Sequence, residues 1–149
     1  MASEITEFRG PWRFLSNFWA CPVTISGITF PSSEHAYQAA KTLDRAKRAE
    51  VAALATPGQA KRAGRLITIR PDWERVKKKV MLLVVIAKFT ENPDLGKMLA
   101  ETGDAYLEEG NDWHDNYWGA CGCDQHIGSG LNWLGRILMM TRDIIRTDT

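Results

Sequence analysis

The chain has 149 residues, with 19 Lys plus Arg against 18 Asp plus Glu, a net charge of +1 and 44% apolar residues. That composition describes one ordinary globular domain, 1–149, rather than a disordered, fibrous or membrane chain, and a chain of this length buries roughly 68–70% of its unfolded surface without disulfides or a structural metal. The near-neutral total also excludes the strongly basic character of a protein that lives on nucleic acid phosphates.

Along the chain, Val23 to Phe30 alternates β-branched and polar residues around Ser26-Gly27, the pattern of a short hairpin. Pro31-Ser32-Ser33-Glu34 then switches the period, and a helix is expected over Ser33 to Thr42. A second helix is expected over Ala46 to Leu54, and Pro57 opens a third through Ala60 and Ala63. Trp73, Val76, Val80, Leu83, Val84 and Ala87 recur at helical spacing toward Phe89, and Asn92-Pro93 ends that run. Asp94 to Thr102 reads as a helix with Leu95, Met98 and Leu99 inward. Ala105 to Glu109 reads as a strand, and Gly110 to Gly130 as irregular chain. A last helix over Leu131 to Arg146 would bury Leu134, Ile137, Leu138, Thr141 and Ile145. The expected fold class is mainly α, an α+β domain with one small hairpin or sheet.

Cys21, Cys121 and Cys123 do not make a secreted disulfide framework. No basic patch followed by an apolar run opens the chain, and the longest apolar stretch, Val80 to Ala87, is far below the roughly 20 residues that cross a bilayer. A cytoplasmic protein without a membrane partner is expected. Nothing in the sequence sets an oligomeric state.

Charge is unevenly distributed. Residues Lys61 to Lys79 carry +6 and residues Glu91 to Asp124 carry −8. One stretch could hold a phosphate and the other could stabilise a developing cation, unless both are solvated faces.

Ser33-Glu34-His35-Ala36-Tyr37-Gln38-Ala39-Ala40-Lys41 is the most informative segment. On a helix Glu34, Gln38 and Lys41 share one face, and alanines let neighbours close over it. A lysine drawn from water loses proton affinity and becomes a nucleophile toward carbonyl or aminal carbon, with the carboxylate at hand for proton transfer. An exposed helix pair of no consequence would show the same spacing.

Lys61 and Arg65 form an i, i+4 pair that could grip a phosphate. In Asp115-Asn116-Tyr117-Trp118-Gly119, a glycine beside an aromatic would let backbone approach a planar ligand while Trp118 stacks on it. Glycines before Asn132 bring the last helix's N-terminus near that loop, where Asn132 would face an anion. His114, Cys121, Cys123 and His126 are possible metal ligands, but Cys-x-Cys-x-x-His matches no usual zinc spacing, so no metal is expected. No Walker loop, nucleophile elbow or Rossmann fingerprint is present, and no cofactor is expected.

Taken in order, Leu15-Ser16-Asn17-Phe18, Ser33 to Lys41, Ala60 to Arg65, Arg70-Pro71-Asp72-Trp73, Met81, Lys88-Phe89-x-x-Asn92, Asp115-x-x-Trp118-Gly119, Gly130-x-Asn132-x-Leu134-Gly135 and Leu138-Met139 before Arg142 resemble the NADAR, or YbiA-like, family. The resemblance runs from Phe8 to Arg142. It implies an N-glycosidase acting where ribose C1 joins an exocyclic amine. One branch of the family is associated with phosphoribosylamino pyrimidine intermediates of riboflavin synthesis, and another with removing ADP-ribose from guanine bases, including those of nucleic acid. The resemblance further implies a Schiff base at Lys41, with Glu34 moving protons and Asp115 stabilising the cationic carbon or orienting water. Asn17, Gln38, Lys61, Arg65, Trp118, Gly119 and Asn132 would bind a phosphorylated ribosyl substrate. A module that only binds ADP-ribose as a sensor is the non-enzymatic alternative, and it has no need of Glu34 and Lys41 together.

Overall fold

In the computed structural model, which describes residues 3–148, the chain runs through β1 (Glu4–Ile5), a 3₁₀ helix (Gly10–Leu15), β2 (Ala20–Ile25), β3 (Ile28–Ser32), α1 (Ser33–Ala39), α2 (Arg45–Ala52) and α3 (Pro57–Leu66). It continues through α4 (Trp73–Glu91), α5 (Pro93–Glu101), β4 (Tyr106–Leu107), β5 (Gly110–Asn111), β6 (Ala120–Cys121) and α6 (Trp133–Thr147). The fold is mainly α, as the sequence predicts. Beside the predicted hairpin lie two further pairs, each of two-residue strands: β1 with β4 and β5 with β6, both parallel. Packing divides the chain into two units, one of Asn17–Pro93 and one of the segments before and after it. No helix among the described residues is long and apolar enough to cross a membrane.

The Asn17–Pro93 unit is built around α1. The antiparallel β2–β3 hairpin turns at Ser26 and Gly27, both with positive φ (51° and 81°), the requirement of a tight hairpin turn whose twist matches its strands. Ser32 caps α1 by accepting from the His35 N–H. Asp44 caps α2, and Thr56 with Gln59 forms a reciprocal capping box on α3 behind Pro57. α1 packs against α2, α3, α4 and the hairpin, and every one of its residues is buried. His35 ties two of these elements: its Nε2–H donates to Leu54 O at 3.0 Å, and Ser32 Oγ lies 2.7 Å from its Nδ1.

Two expectations for this unit change. α1 ends at Ala39, so Lys41 stands in the turn after the helix, where its N–H still donates to Gln38 O and its carbonyl accepts from Arg70 N–H at 2.8 Å. The buried stripe of α4 is Trp73, Met81, Val84, Val85, Lys88 and Phe89, whereas Leu83 is exposed. Lys88 occupies an inward position of that stripe, and a lysine there hides its true frame from a reading that counts only apolar residues.

In the other unit β1 pairs with β4 and α6 packs on β4. α6 buries Leu134, Ile137, Leu138 and Thr141 as predicted, while Ile145 is only half-buried. It starts at Trp133 because Asn132 takes a left-handed φ of 52°, which a helix cannot continue through. In α5, Leu95 and Leu99 face inward but Met98 is exposed, and Pro93, which stops α4, serves as the first residue of α5.

Candidate active site

Asn17, Glu34, Gln38, Lys41, Lys61 and Arg65 all belong to the Asn17–Pro93 unit. Asn17 is buried beside the start of α1: its carbonyl accepts from the Glu34 N–H at 3.0 Å, and its Nδ2 lies 3.4 Å from Met81 Sδ. One turn along, Gln38 Nε2 donates to Glu34 Oε1 at 2.8 Å, a buried contact that fixes the orientation of the carboxylate. The other amide atom of Gln38, Oε1, is buried without a hydrogen-bond partner.

Lys41 is half-buried, with Nζ 5.7 Å from the centre of the Tyr37 ring, which in turn packs against Trp73. Burial is the largest influence on its amine and holds its proton affinity below the ordinary 10.5. Glu34 pulls the other way, while the charges of Arg65, Lys61 and Lys77 push the amine further toward its neutral form. An amine of lowered proton affinity within the field of a carboxylate and of neighbouring cations combines a more nucleophilic group with an anion-attracting field.

Lys61 and Arg65 are exposed on α3, one turn apart, where flexible cationic heads remain free to meet a phosphate. Sequence reasoning missed Lys77 and Tyr37 as neighbours of Lys41. Tyr37 stands in the segment that drew attention to Lys41, but Lys77 is one basic residue among many between Lys61 and Lys79, and only the packing of α4 on α1 singles it out.

Asp115, Trp118, Gly119 and Asn132 are in the other unit, and three of them have structural duties there. Asp115 Oδ1 accepts from the Tyr117 and Trp118 N–H groups at 3.1 and 2.9 Å, bracing the turn. At Gly119 a Cβ would meet Glu109 O at 2.2 Å, so glycine is needed there for backbone to pass backbone. Asn132, expected to face an anion or a sugar, is engaged by the backbone of its own unit. It is 2% exposed, and its side chain accepts from Glu109 N–H and donates to Leu107 O at 2.8 Å and to the Tyr106 hydroxyl. Trp118 is half-buried with its ring edge-on to Tyr117, centroids 4.7 Å apart.

The chain as a whole is similar to known proteins. Residues 6–146 match the NADAR domain. The chain belongs to the NADAR family. It is 40% identical over 130 residues to N-glycosidase YbiA of Escherichia coli K12, covering 86% of this chain and 78% of that protein. It is 41% identical over 132 residues to riboflavin biosynthesis protein VVA0006 of Vibrio vulnificus, covering 87% of this chain but only 35% of that longer protein. The solved NMR structure of E. coli YbiA superposes with a TM-score of 0.84 at 35% identity, covering 99% of this chain and 88% of that one. As a member of this family the chain is an enzyme, a hydrolase of the N-glycosidase class.

Proposed function

We propose that this chain hydrolyses the bond between ribose C1 and an exocyclic amine in a phosphoribosylamino pyrimidine, releasing ribose 5-phosphate and the free amine, through a Schiff base at Lys41. The observation that supports it is the state of Lys41: half-buried, with its proton affinity lowered, under the opposing influences of Glu34 and of Arg65, Lys61 and Lys77.

The chemistry follows from the bond. An N-glycoside on an exocyclic amine opens its sugar ring when a proton reaches the ring oxygen and the nitrogen lone pair forms C1=N. The neutral amine of Lys41 adds to C1, a proton passes to the departing nitrogen, and that amine leaves, giving a Schiff base between C1 and Lys41. Glu34, held by Gln38, is the group that moves these protons. Water then adds to C1, the C1–Nζ bond breaks, and the open-chain aldehyde of ribose 5-phosphate is released with Lys41 restored. Lys61 and Arg65 hold the phosphate, and Asn17 borders Glu34 at the start of α1. A reducing, cytoplasmic setting goes with this reading and with three free cysteines.

Borohydride trapping tests it. Reduction during turnover should leave a ribose 5-phosphate adduct on Lys41 by peptide mapping, and Lys41→Ala should neither trap nor turn over. A Lys41→Ala protein that still forms the adduct overturns the mechanism. Assay with a phosphoribosylamino pyrimidine and with ADP-ribosylated guanosine side by side tests the substrate, and a preference for the second would replace this reading with de-ADP-ribosylation of guanine.

A further inference from the structure

The residues His114, Cys121, Cys123 and His126 form a gathering that the glycosidase chemistry does not use. Their ligand atoms all lie within 4.8 Å of one another. His114 Nδ1 is 3.2 Å from His126 Nδ1, 3.4 Å from Cys123 Sγ and 3.9 Å from Cys121 Sγ, and Cys123 Sγ is 3.1 Å from His126 Nδ1. A tetrahedral zinc ion with ordinary bond lengths sets its ligand atoms roughly 3.3 Å apart for N and N, roughly 3.6 Å for N and S, and roughly 3.8 Å for S and S. The N···N distance agrees closely, three of the four N···S distances bracket the expected one, and the remaining pairs lie within 4.8 Å.

Hydrogen bonding alone accounts poorly for the cluster. The Nδ1 of an imidazole has one in-plane position, filled by a proton or by a lone pair. His114 Nδ1 nevertheless has three ligand atoms around it, more than a single in-plane proton or lone pair can meet with good alignment. One cation at the centre, receiving a lone pair from each atom, satisfies all four.

The surrounding chain is built to hold this geometry. His114 adopts φ 69°, a left-handed conformation uncommon outside glycine. Asn111 fixes the loop before and after it, accepting from the Trp113 and Asp115 N–H groups and donating to Asp115 O. Asn116 Oδ1 accepts the Cys121 N–H at 2.8 Å, and the Cys123 N–H points to Cys121 Sγ at 3.4 Å, a donor that favours the thiolate. His126 and Ile127 both donate their N–H to Cys123 O, closing the turn that carries the last ligand.

We propose that His114, Cys121, Cys123 and His126 bind one zinc ion in a closed Cys2His2 site. Two thiols release their protons to solvent on binding, and the two thiolates balance the charge of the divalent ion. Two sulfurs and two imidazole nitrogens in a tetrahedral arrangement suit zinc and exclude the oxygen-seeking calcium and magnesium. With four protein ligands no position remains for water or substrate, so the ion is structural. It fastens the loop after β5, the end of β6 and the turn before α6, the segment that carries Asp115 and Trp118. The spacing His-x6-Cys-x-Cys-x2-His hides the site in the sequence, because the ligands are gathered by the β5–β6 pairing and not by a short knuckle.

The test uses the full chain, produced in zinc-supplemented medium and purified under reducing conditions without chelator. Elemental analysis should find close to one zinc per chain. Replacing it with cobalt(II) should give the intense visible bands of a tetrahedral ion together with thiolate charge-transfer absorption. Removing the metal with a strong chelator should lower the melting temperature, and zinc but not magnesium should restore it. Cys123→Ser and His126→Ala should each weaken cobalt binding at least tenfold, whereas Cys21→Ala should leave it unchanged. A wild-type chain that carries no zinc and gives no tetrahedral cobalt spectrum overturns the proposal without reliance on any variant. So does recovery of a Cys121–Cys123 disulfide from the reduced preparation, or cobalt binding undiminished in Cys123→Ser.

Discussion

A Cβ added to Gly64 would lie 1.8 Å from Gln38 Oε1. α3 can approach α1 only because residue 64 has no side chain, and that approach belongs to the same packing that buries the Gln38–Glu34 hydrogen bond.

Gly64→Ala is therefore expected to destabilise the protein. In an exposed helix the change would stabilise by about 0.5–1 kcal/mol through backbone entropy. Here overpacking against a buried amide costs about 1–3 kcal/mol and wins. Denaturant unfolding should show the net loss. Activity should fall by more than the unfolded fraction explains, because Gln38 must move from Glu34, and unchanged stability together with unchanged kcat would contradict this account of the contact.

The amine of Lys41 should titrate below 10.5, and its neighbours should move it in opposite directions. Glu34→Gln removes the influence that favours the cation and should lower the titration further. Lys77→Met removes a cation and should raise it. Isotope-labelled reductive methylation followed by NMR titration reads both shifts. In turnover, Glu34→Gln should reduce kcat by about 10²–10⁴-fold, the ordinary scale of a lost proton-transfer group.

Lys88 is 1% exposed, and burial pushes its amine down to about 8 from 10.5, while the charge of Cys21 acts in the opposite direction. Between about pH 8 and pH 10.5 the unfolded chain holds this proton and the folded chain does not, so this group makes stability rise with pH across that window. A shift from 10.5 to about 8 corresponds to about 3 kcal/mol. Denaturation at pH 7.5 and pH 10.5 should show the stability of wild type relative to Lys88→Met improving by about that amount at the higher pH. Cys21, whose thiol burial raises, is present in both proteins and largely cancels in the difference. A difference independent of pH would show Lys88 to be charged throughout.

Asn132→Ala should act on stability and not on substrate affinity. It leaves Glu109 N–H and Leu107 O without their buried partner and places alanine at φ 52°, a combined cost of about 2–4 kcal/mol. Thermal unfolding should report the loss while KM of the folded fraction stays constant. A raised KM at unchanged stability would restore the ribose-binding role expected from the sequence.

The sequence alone determined the elements that local rules govern. Ser26-Gly27 forces the hairpin turn, Ser32, Asp44 and Thr56 start their helices, and Pro57 and Pro93 stand where their missing N–H groups cost nothing. It also singled out the segment from Ser33 to Lys41 as the candidate site, because a carboxylate, an amide and an amine among alanines are close in the chain. Only the tertiary structure decided what depends on partners far along the sequence. The proton affinity of Lys41 is set by burial and by charges from α1, α3 and α4 together. Asn132 looks free to meet a ligand until Leu107 and Glu109 claim its amide, and the His114, Cys121, Cys123 and His126 cluster exists only once β5 pairs with β6. Hydrogen bonds, desolvation and metal coordination act over a few ångströms of space, and no spacing along the chain fixes which distant groups will come within that reach.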